Sequence, residues 1–108
     1  MPGVTQIGPA ELKAKRDNQQ DFCLLDVREP WEVALARISG SLCIPLHEIP
    51  SRLQELAADS EIIVMCKAGG RSQRAAEFLV AKGFKRISNL QGGIDAWARE
   101  IDPTISAY

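Results

Sequence analysis

The residues most able to do chemistry lie in one short run, Cys66-Lys67-Ala68-Gly69-Gly70-Arg71-Ser72. A thiol that ends a strand and precedes a helix sits at the positive pole of that helix, which favours thiolate over thiol. Gly69 and Gly70 permit backbone angles barred to other residues, so successive N–H groups can turn inward as an anion-binding nest. Lys67 and Arg71 add full positive charge, and an arginine can fork onto two oxygens of one anion. Together these seven residues make a cradle for an oxyanion with a nucleophilic sulfur at its base. Two other loops carry polar or glycine-rich chemistry, Asp26-Val27-Arg28-Glu29 and Gln91-Gly92-Gly93. A buried, inert cysteine before an ordinary glycine turn is the plainer reading. It suits Cys23 and Cys43, expected inside strands, better than Cys66 with its glycines and cations.

Elements that place these loops follow from short apolar runs alternating with amphipathic stretches. Strands are expected over 4–7, 22–27, 41–44, 61–65 and 86–90. Helices are expected from Pro9 to about Lys15, from Glu29-Pro30, over about 48–58, over about 71–82 and over 94–99. The 48–58 helix rests on the spacing of Ile49, Leu53, Leu56 and Ala57; Gly83 ends the helix before it. Pro103 opens an extended tail. This order predicts an α/β fold, a parallel sheet with helices on both faces. In such sheets ligands bind beyond the carboxyl ends of the strands, where all three loops are expected. Trp31 and Trp97 read as packing residues, and no exposed apolar stripe stands out.

With 108 residues, 45% of them hydrophobic and 25% charged, the chain fits one soluble domain spanning 1–108. A net charge of -1 argues against bulk nucleic-acid binding. No apolar run reaches the ~18 residues of a membrane span. Met1-Pro2-Gly3-Val4 shows no leader pattern. Three cysteines, an odd count, suggest free thiols in a reducing, cytoplasmic setting. His47 is the only histidine and is expected on a surface loop, so no structural metal is expected. The charge is uneven. Residues 1–66 balance to -4, while 67–86 carry Lys67, Arg71, Arg74, Lys82, Lys85 and Arg86 against Glu77 alone. That stretch is either a solvated helix face or a local positive potential for an anionic substrate.

Four ordered blocks resemble the rhodanese family. Cys66 to Arg71 is similar to its C-x-x-G-x-R loop, and Leu25-Asp26-Val27-Arg28-Glu29 with Glu32 to its upstream signature. Ile38, Gly40 and Ile44-Pro45 match the next block, and Asn89-Leu90-Gln91-Gly92-Gly93-Ile94-Asp95-Ala96-Trp97 the last. Arg37 stands where the family often has histidine, a position outside the sulfur chemistry. The resemblance implies a five-stranded parallel sheet flanked by helices, and sulfurtransferase activity without cofactor or metal. Cys66 would take a sulfane sulfur from a small anionic donor such as thiosulfate. It would pass that sulfur to cyanide, a thiol or a sulfur-carrier protein. Lys67, Ala68, Gly69, Gly70, Arg71 and Ser72 would hold the donor and the persulfide. Asp26 and Arg28, which follow the second strand, read as an ion pair with helix-capping contacts that brace the rim, with a direct substrate role as the alternative.

Three other roles follow from the same residues. A phosphatase or arsenate reductase on this fold has five residues between cysteine and arginine, whereas four separate Cys66 from Arg71. A non-catalytic interaction module would be expected to have lost the cysteine. The C-terminal stretch from Gly92 to Tyr108 also resembles the sulfurtransferase domain fused behind ubiquitin-activating-like adenylyltransferases. The basic stretch after Cys66 would then guide an acidic carrier tail.

Overall fold

A computed structural model describes residues 3–108; Met1 and Pro2, part of the stretch inspected for a leader, lie outside the described residues. Five strands form one parallel sheet: β1 (Thr5–Ile7), β2 (Cys23–Asp26), β3 (Leu42–Cys43), β4 (Glu61–Met65) and β5 (Arg86–Leu90). Their spatial order is β1-β5-β4-β2-β3, with every neighbouring pair parallel. Four α-helices connect or follow them: α1 (Pro9–Asp17), α2 (Pro30–Leu35), α3 (Gly70–Ala81) and α4 (Gly93–Glu100). The expected α/β architecture is therefore present, with strand ends shifted by at most two residues.

Alternation along the strands sorts side chains onto two faces. Leu25, Ile62, Val64 and Ile87 face α3 and pack with Ala75, Ala76 and Leu79. Leu24, Ile63, Met65 and Leu90 face the other way, onto Leu12 of α1 and Ile94 and Trp97 of α4. Near-continuous apolar runs such as Ile62 to Met65 are what a sheet covered on both sides requires. Cys66 falls on the α3 side, one residue beyond β4.

Proline starts α1 and α2, at a position where its missing N–H costs little. Each helix start is closed by a glutamate that reaches back. Glu11 Oε1 accepts from Gly8 N–H at 3.4 Å, and Glu32 Oε1 from Glu29 N–H at 3.1 Å.

Some expectations are corrected. Two 3₁₀ turns, Leu46–Ser51 and Leu53–Glu55, replace the α-helix expected over 48–58. Pro50 lies inside the first and cannot donate to a continued helical ladder, so helical spacing of apolar residues was not enough. The tail after Pro103 turns rather than extends: Ile105 N–H donates to Asp102 O at 3.2 Å, and Thr104 N–H to Asp102 Oδ1 at 3.1 Å. Trp97 is buried as expected, but Trp31 is 62% exposed. Leu35 at 57% and Leu42 at 37% are exposed as well, which the periodicity does not reveal. Cys23 and Cys43 are half-buried rather than core, because both lie at the ends or edge of the sheet. Among the described residues no helix is long and apolar enough to cross a membrane.

Candidate active site

The loop from Cys66 to Gly69 joins the central strand β4 to the N-terminus of α3. Gly69 adopts a left-handed conformation with φ 111°, which a side chain would strain. That turn aims Gly69 N–H at the Cys66 sulfur, 3.0 Å away. Ser72, in the first turn of α3 and fully buried, places its Oγ 3.3 Å from the same sulfur. Burial pushes the Cys66 thiol up, but hydrogen bonds from the Ser72 hydroxyl and from the N–H groups of Ser72, Gly69 and Ala68 outweigh it. The net shift is downward, toward the thiolate. Cys66 is 2% exposed, so the sulfur lies at the floor of the loop rather than on its surface.

A second glycine turn holds this loop from behind. Ile94 N–H and Asp95 N–H, at the start of α4, donate to Cys66 O (2.9 Å) and Lys67 O (3.1 Å). Gly93 makes this approach possible. A Cβ there would lie 2.4 Å from Lys67 O and 2.5 Å from Cys66 O, so no other residue fits without a shift. The Lys67 carbonyl thus turns toward α4, which leaves the N–H of the same peptide, that of Ala68, directed at the sulfur.

Both cations of the loop are partnered. Arg71 forks onto Glu32, Nη1 to Oε1 at 2.6 Å and Nη2 to Oε2 at 2.9 Å. The Arg71 hydrogen bond holds the Glu32 carboxyl down at about 2, against burial that would raise it. Lys67 Nζ lies 3.1 and 3.0 Å from the two carboxylate oxygens of Asp95. The positive stretch also divides in space. Lys82, Lys85 and Arg86 follow the far end of α3, a helix of 12 residues and so about 18 Å long. They lie at the opposite end of the sheet from Cys66, and the expected guiding field along 67–86 is not continuous. Ala68 and Gly70 are exposed at the mouth, and Arg74 is exposed one turn along α3.

Asp26 and Arg28 form the expected ion pair. Both are fully buried, with Arg28 Nη2 2.7 Å from Asp26 Oδ2 and Arg28 Nε 3.0 Å from Asp26 Oδ1. Burial works against the guanidinium charge, but Asp26 and Tyr108 more than offset it and raise the Arg28 pKa. Arg28 also donates to Ala36 O at 2.8 Å and to the Tyr108 hydroxyl at 2.8 Å. Tyr108 in turn donates to Glu32 Oε2 at 2.8 Å, and its ring lies 5.0 Å from Lys67 Nζ. The tail thereby ties the rim pair to the Arg71–Glu32 pair.

Of the nine residues singled out, Cys66 carries the sulfur, Ala68, Gly69 and Ser72 supply donors to it, Lys67 and Arg71 are held by carboxylates, and Asp26 and Arg28 pair with each other behind the loop. Glu32, Asp95, Asn89 and Tyr108 were not given roles. Glu32, Asn89 and Asp95 sit inside the sequence blocks that resemble the family, and Tyr108 ends the C-terminal stretch with its own resemblance; those are the available signals. His47 is exposed, 3.7 Å from Glu29 and 3.5 Å from Glu48. Among the described residues no group of three or more ligating side chains is placed to hold a metal. A groove of about 820 Å³ runs between Val33 and Leu35 of α2, Ala36 just beyond it, and Cys43, Pro45 and Arg52. No residue of the Cys66 loop lines it.

A sequence model of the rhodanese-like domain matches residues 8–100. The chain belongs to the rhodanese-like family. A sulfurtransferase of Allochromatium vinosum is 36% identical to it over 103 residues, covering 95% of this chain and 96% of that protein. An adenylyltransferase and sulfurtransferase of Zea mays is 35% identical over 115 residues, covering all of this chain but 25% of the maize protein. The solved structure of a rhodanese-related protein from Thermoplasma volcanium superposes with a TM-score of 0.83 at 33% identity, covering 95% and 98% of the two chains. The rhodanese-like sheet is thus shared architecture.

Proposed function

We propose that this rhodanese-like chain is a sulfurtransferase in which Cys66 carries the sulfur. The observation that carries the reading is the sulfur of Cys66 held at the floor of the loop with Gly69 N–H at 3.0 Å and Ser72 Oγ at 3.3 Å. These donors favour thiolate, the form that attacks. With thiosulfate as donor, the Cys66 thiolate attacks the outer sulfur, a sulfur–sulfur bond forms, and the bond to the sulfite sulfur breaks. Sulfite leaves with the electron pair, and Cys66 becomes a persulfide anion. Cyanide or a thiolate then attacks the terminal sulfur. Thiocyanate or a new persulfide departs, and the Cys66 thiolate returns. The two half-reactions predict ping-pong kinetics. Loop N–H groups from Ala68 to Ser72 stabilise the persulfide anion, and Lys67 and Arg71 border the path of the departing sulfite.

The reading treats residues 1–108 as one such domain in a reducing, cytoplasmic setting. Its physiological acceptor is a sulfur-carrier protein, in association with an adenylyltransferase. The support is the pair of activities named for the maize relative, and the name of a Bacillus subtilis relative, 36% identical over 99 residues, as a sulfur carrier protein. The four-residue spacing from Cys66 to Arg71 favours a sulfur substituent over a tetrahedral phosphate.

Intact-protein mass spectrometry after thiosulfate exposure tests the proposal. A gain of about one sulfur atom on wild type, absent on Cys66→Ala and removed by cyanide, is the expected result. An unmodified wild type, with thiosulfate and with a protein persulfide donor, would overturn it in favour of a non-catalytic module.

A further inference from the structure

The Ser72 hydroxyl has one proton and two acceptors. Its Oγ lies 3.3 Å from Cys66 Sγ and 2.5 Å from Asn89 Oδ1. One hydroxyl can donate to only one of them at a time. Both Ser72 and Asn89 are buried, at 0% and 4% exposure, so water does not compete for that proton.

Orientation of the Asn89 amide is set by its other partners. Asn89 Nδ2 donates to Gly69 O at 3.3 Å and to Gln6 Oε1 at 3.0 Å. A backbone carbonyl accepts only, so Nδ2 must face Gly69 and Oδ1 must face Ser72. The same polarity runs outward. Gln6 Nε2 donates to Gln73 Oε1 at 2.6 Å, and Gln73 Nε2 donates to Glu77 Oε2 at 3.0 Å. The chain ends on a carboxylate, which also only accepts. The parallel register of β1 on β5 places Gln6 opposite Asn89 and so builds the link. Asn89 therefore presents a fixed acceptor to Ser72.

We propose that Asn89 is a positioning residue that accepts the Ser72 hydrogen bond whenever the Cys66 sulfur is uncharged, and loses it to the sulfur when charge appears there. In the thiol form, Cys66 S–H donates to Ser72 Oγ and Ser72 O–H donates to Asn89. On loss of the thiol proton, the hydroxyl rotates and donates to the thiolate. After sulfur transfer the charge moves to the terminal sulfur, and the hydroxyl returns to Asn89. No bond to carbon or sulfur changes in this rotation; one hydrogen bond replaces another. Asn89 thus restrains the thiolate and favours the neutral sulfur of the loaded state. The inference rests on Cys66 being the reacting sulfur.

Charged groups facing Cys66 are Arg71 of α3, paired with Glu32 of α2, and Lys67, paired with Asp95 of α4. Glu77 of α3 ends the amide chain. All remain in the variants below, so their fields are common to every arm.

The test is a double-mutant cycle read by the pH profile of Cys66 alkylation, with Ser72→Ala, Asn89→Leu and both together. Competition predicts that Ser72→Ala slows alkylation at neutral pH more in the Asn89→Leu background than in wild type, by about threefold, the size of one modest hydrogen bond. A Ser72→Ala effect that is equal or smaller without Asn89 would overturn the proposal and leave Asn89 a loop brace. Infrared spectroscopy of the S–H stretch at acid pH provides a second reading that needs only wild type and Ser72→Ala. The band is expected at lower frequency in wild type, where S–H donates to Ser72; an unshifted band overturns the proposal even where the Asn89 variant does not fold. Alkylation and S–H absorption read the thiol alone. Failure of sulfur transfer and failure of this proposal are therefore separate results.

Discussion

The cradle around Cys66 and the rim behind it use the same residue types to opposite ends. At the rim, Arg28 is fully buried and its donors are taken up by Asp26, Ala36 O and Tyr108. In the cradle, backbone N–H groups converge on a sulfur that needs them only when charged. Arg71 lies between the two regimes, forked onto Glu32 yet with its side chain 34% exposed. Satisfied charges build a frame; donors aimed at a group that changes charge build a reactive site. A buried arginine beside a cysteine loop is thus no sign of substrate binding, and the fixed partner decides its role.

Substituting the frame should cost stability first and activity second. Arg28→Met leaves Asp26 charged and buried, and urea unfolding is expected to show a loss of about 3–5 kcal/mol. A loss under 1 kcal/mol would mean the rim is not the frame. Gly93→Ala drives a methyl group into the carbonyls of Cys66 and Lys67 and strains a residue at φ 58°. It is expected to cost about 2–4 kcal/mol and to slow Cys66 alkylation, because the loop amides lose their aim. Normal alkylation in a destabilised Gly93→Ala would separate the two regions more sharply than the contacts suggest.

Glu32 supplies a pH signature. Its folded pKa of about 2 lies below the ordinary 4.5, so its contribution is present above about pH 4.5 and lost as pH falls through about 2. On the order of 2 kcal/mol should disappear in that window, after allowing for solvent at Arg71. Glu32→Gln should flatten that part of the acid-stability curve, as followed by circular dichroism. Smallest in stability is Arg71→Met, expected to cost about 1 kcal/mol because Tyr108 and Glu29 N–H still serve Glu32. Its larger effect should be on KM for thiosulfate. An unchanged KM would move Arg71 into the frame with Arg28.

The strands were readable because each apolar run is local, and Ile62 to Met65 can only be a covered strand in a chain of this size. The Cys66 loop was readable because a strand end, two glycines and two cations fall within seven residues. What was hidden is long in range. Glu32 meets Arg71 across 39 positions and Tyr108 across 76, and no periodicity reports such pairs. The 48–58 segment misled for a different reason: side-chain spacing describes which face is buried, while Pro50 decides whether the backbone can continue. Trp31 reads as packing because its type is apolar, yet it is largely exposed, its ring set T-shaped to that of Tyr108 with centroids 6.0 Å apart.

The grip of α4 on the carbonyls of Cys66 and Lys67 has a consequence for how the molecule meets salt. Lys67 and Arg71 carry their counter-charges with them, in Asp95 and Glu32. Arg71, already forked onto Glu32, meets an anion only at close range, beside a set of peptide dipoles that α4 helps to hold in place. Dipoles act over a few ångströms and bring no counter-ion cloud to displace. Donor capture by this chain should therefore change little between dilute buffer and concentrated salt, where a site built on free cations would weaken steeply.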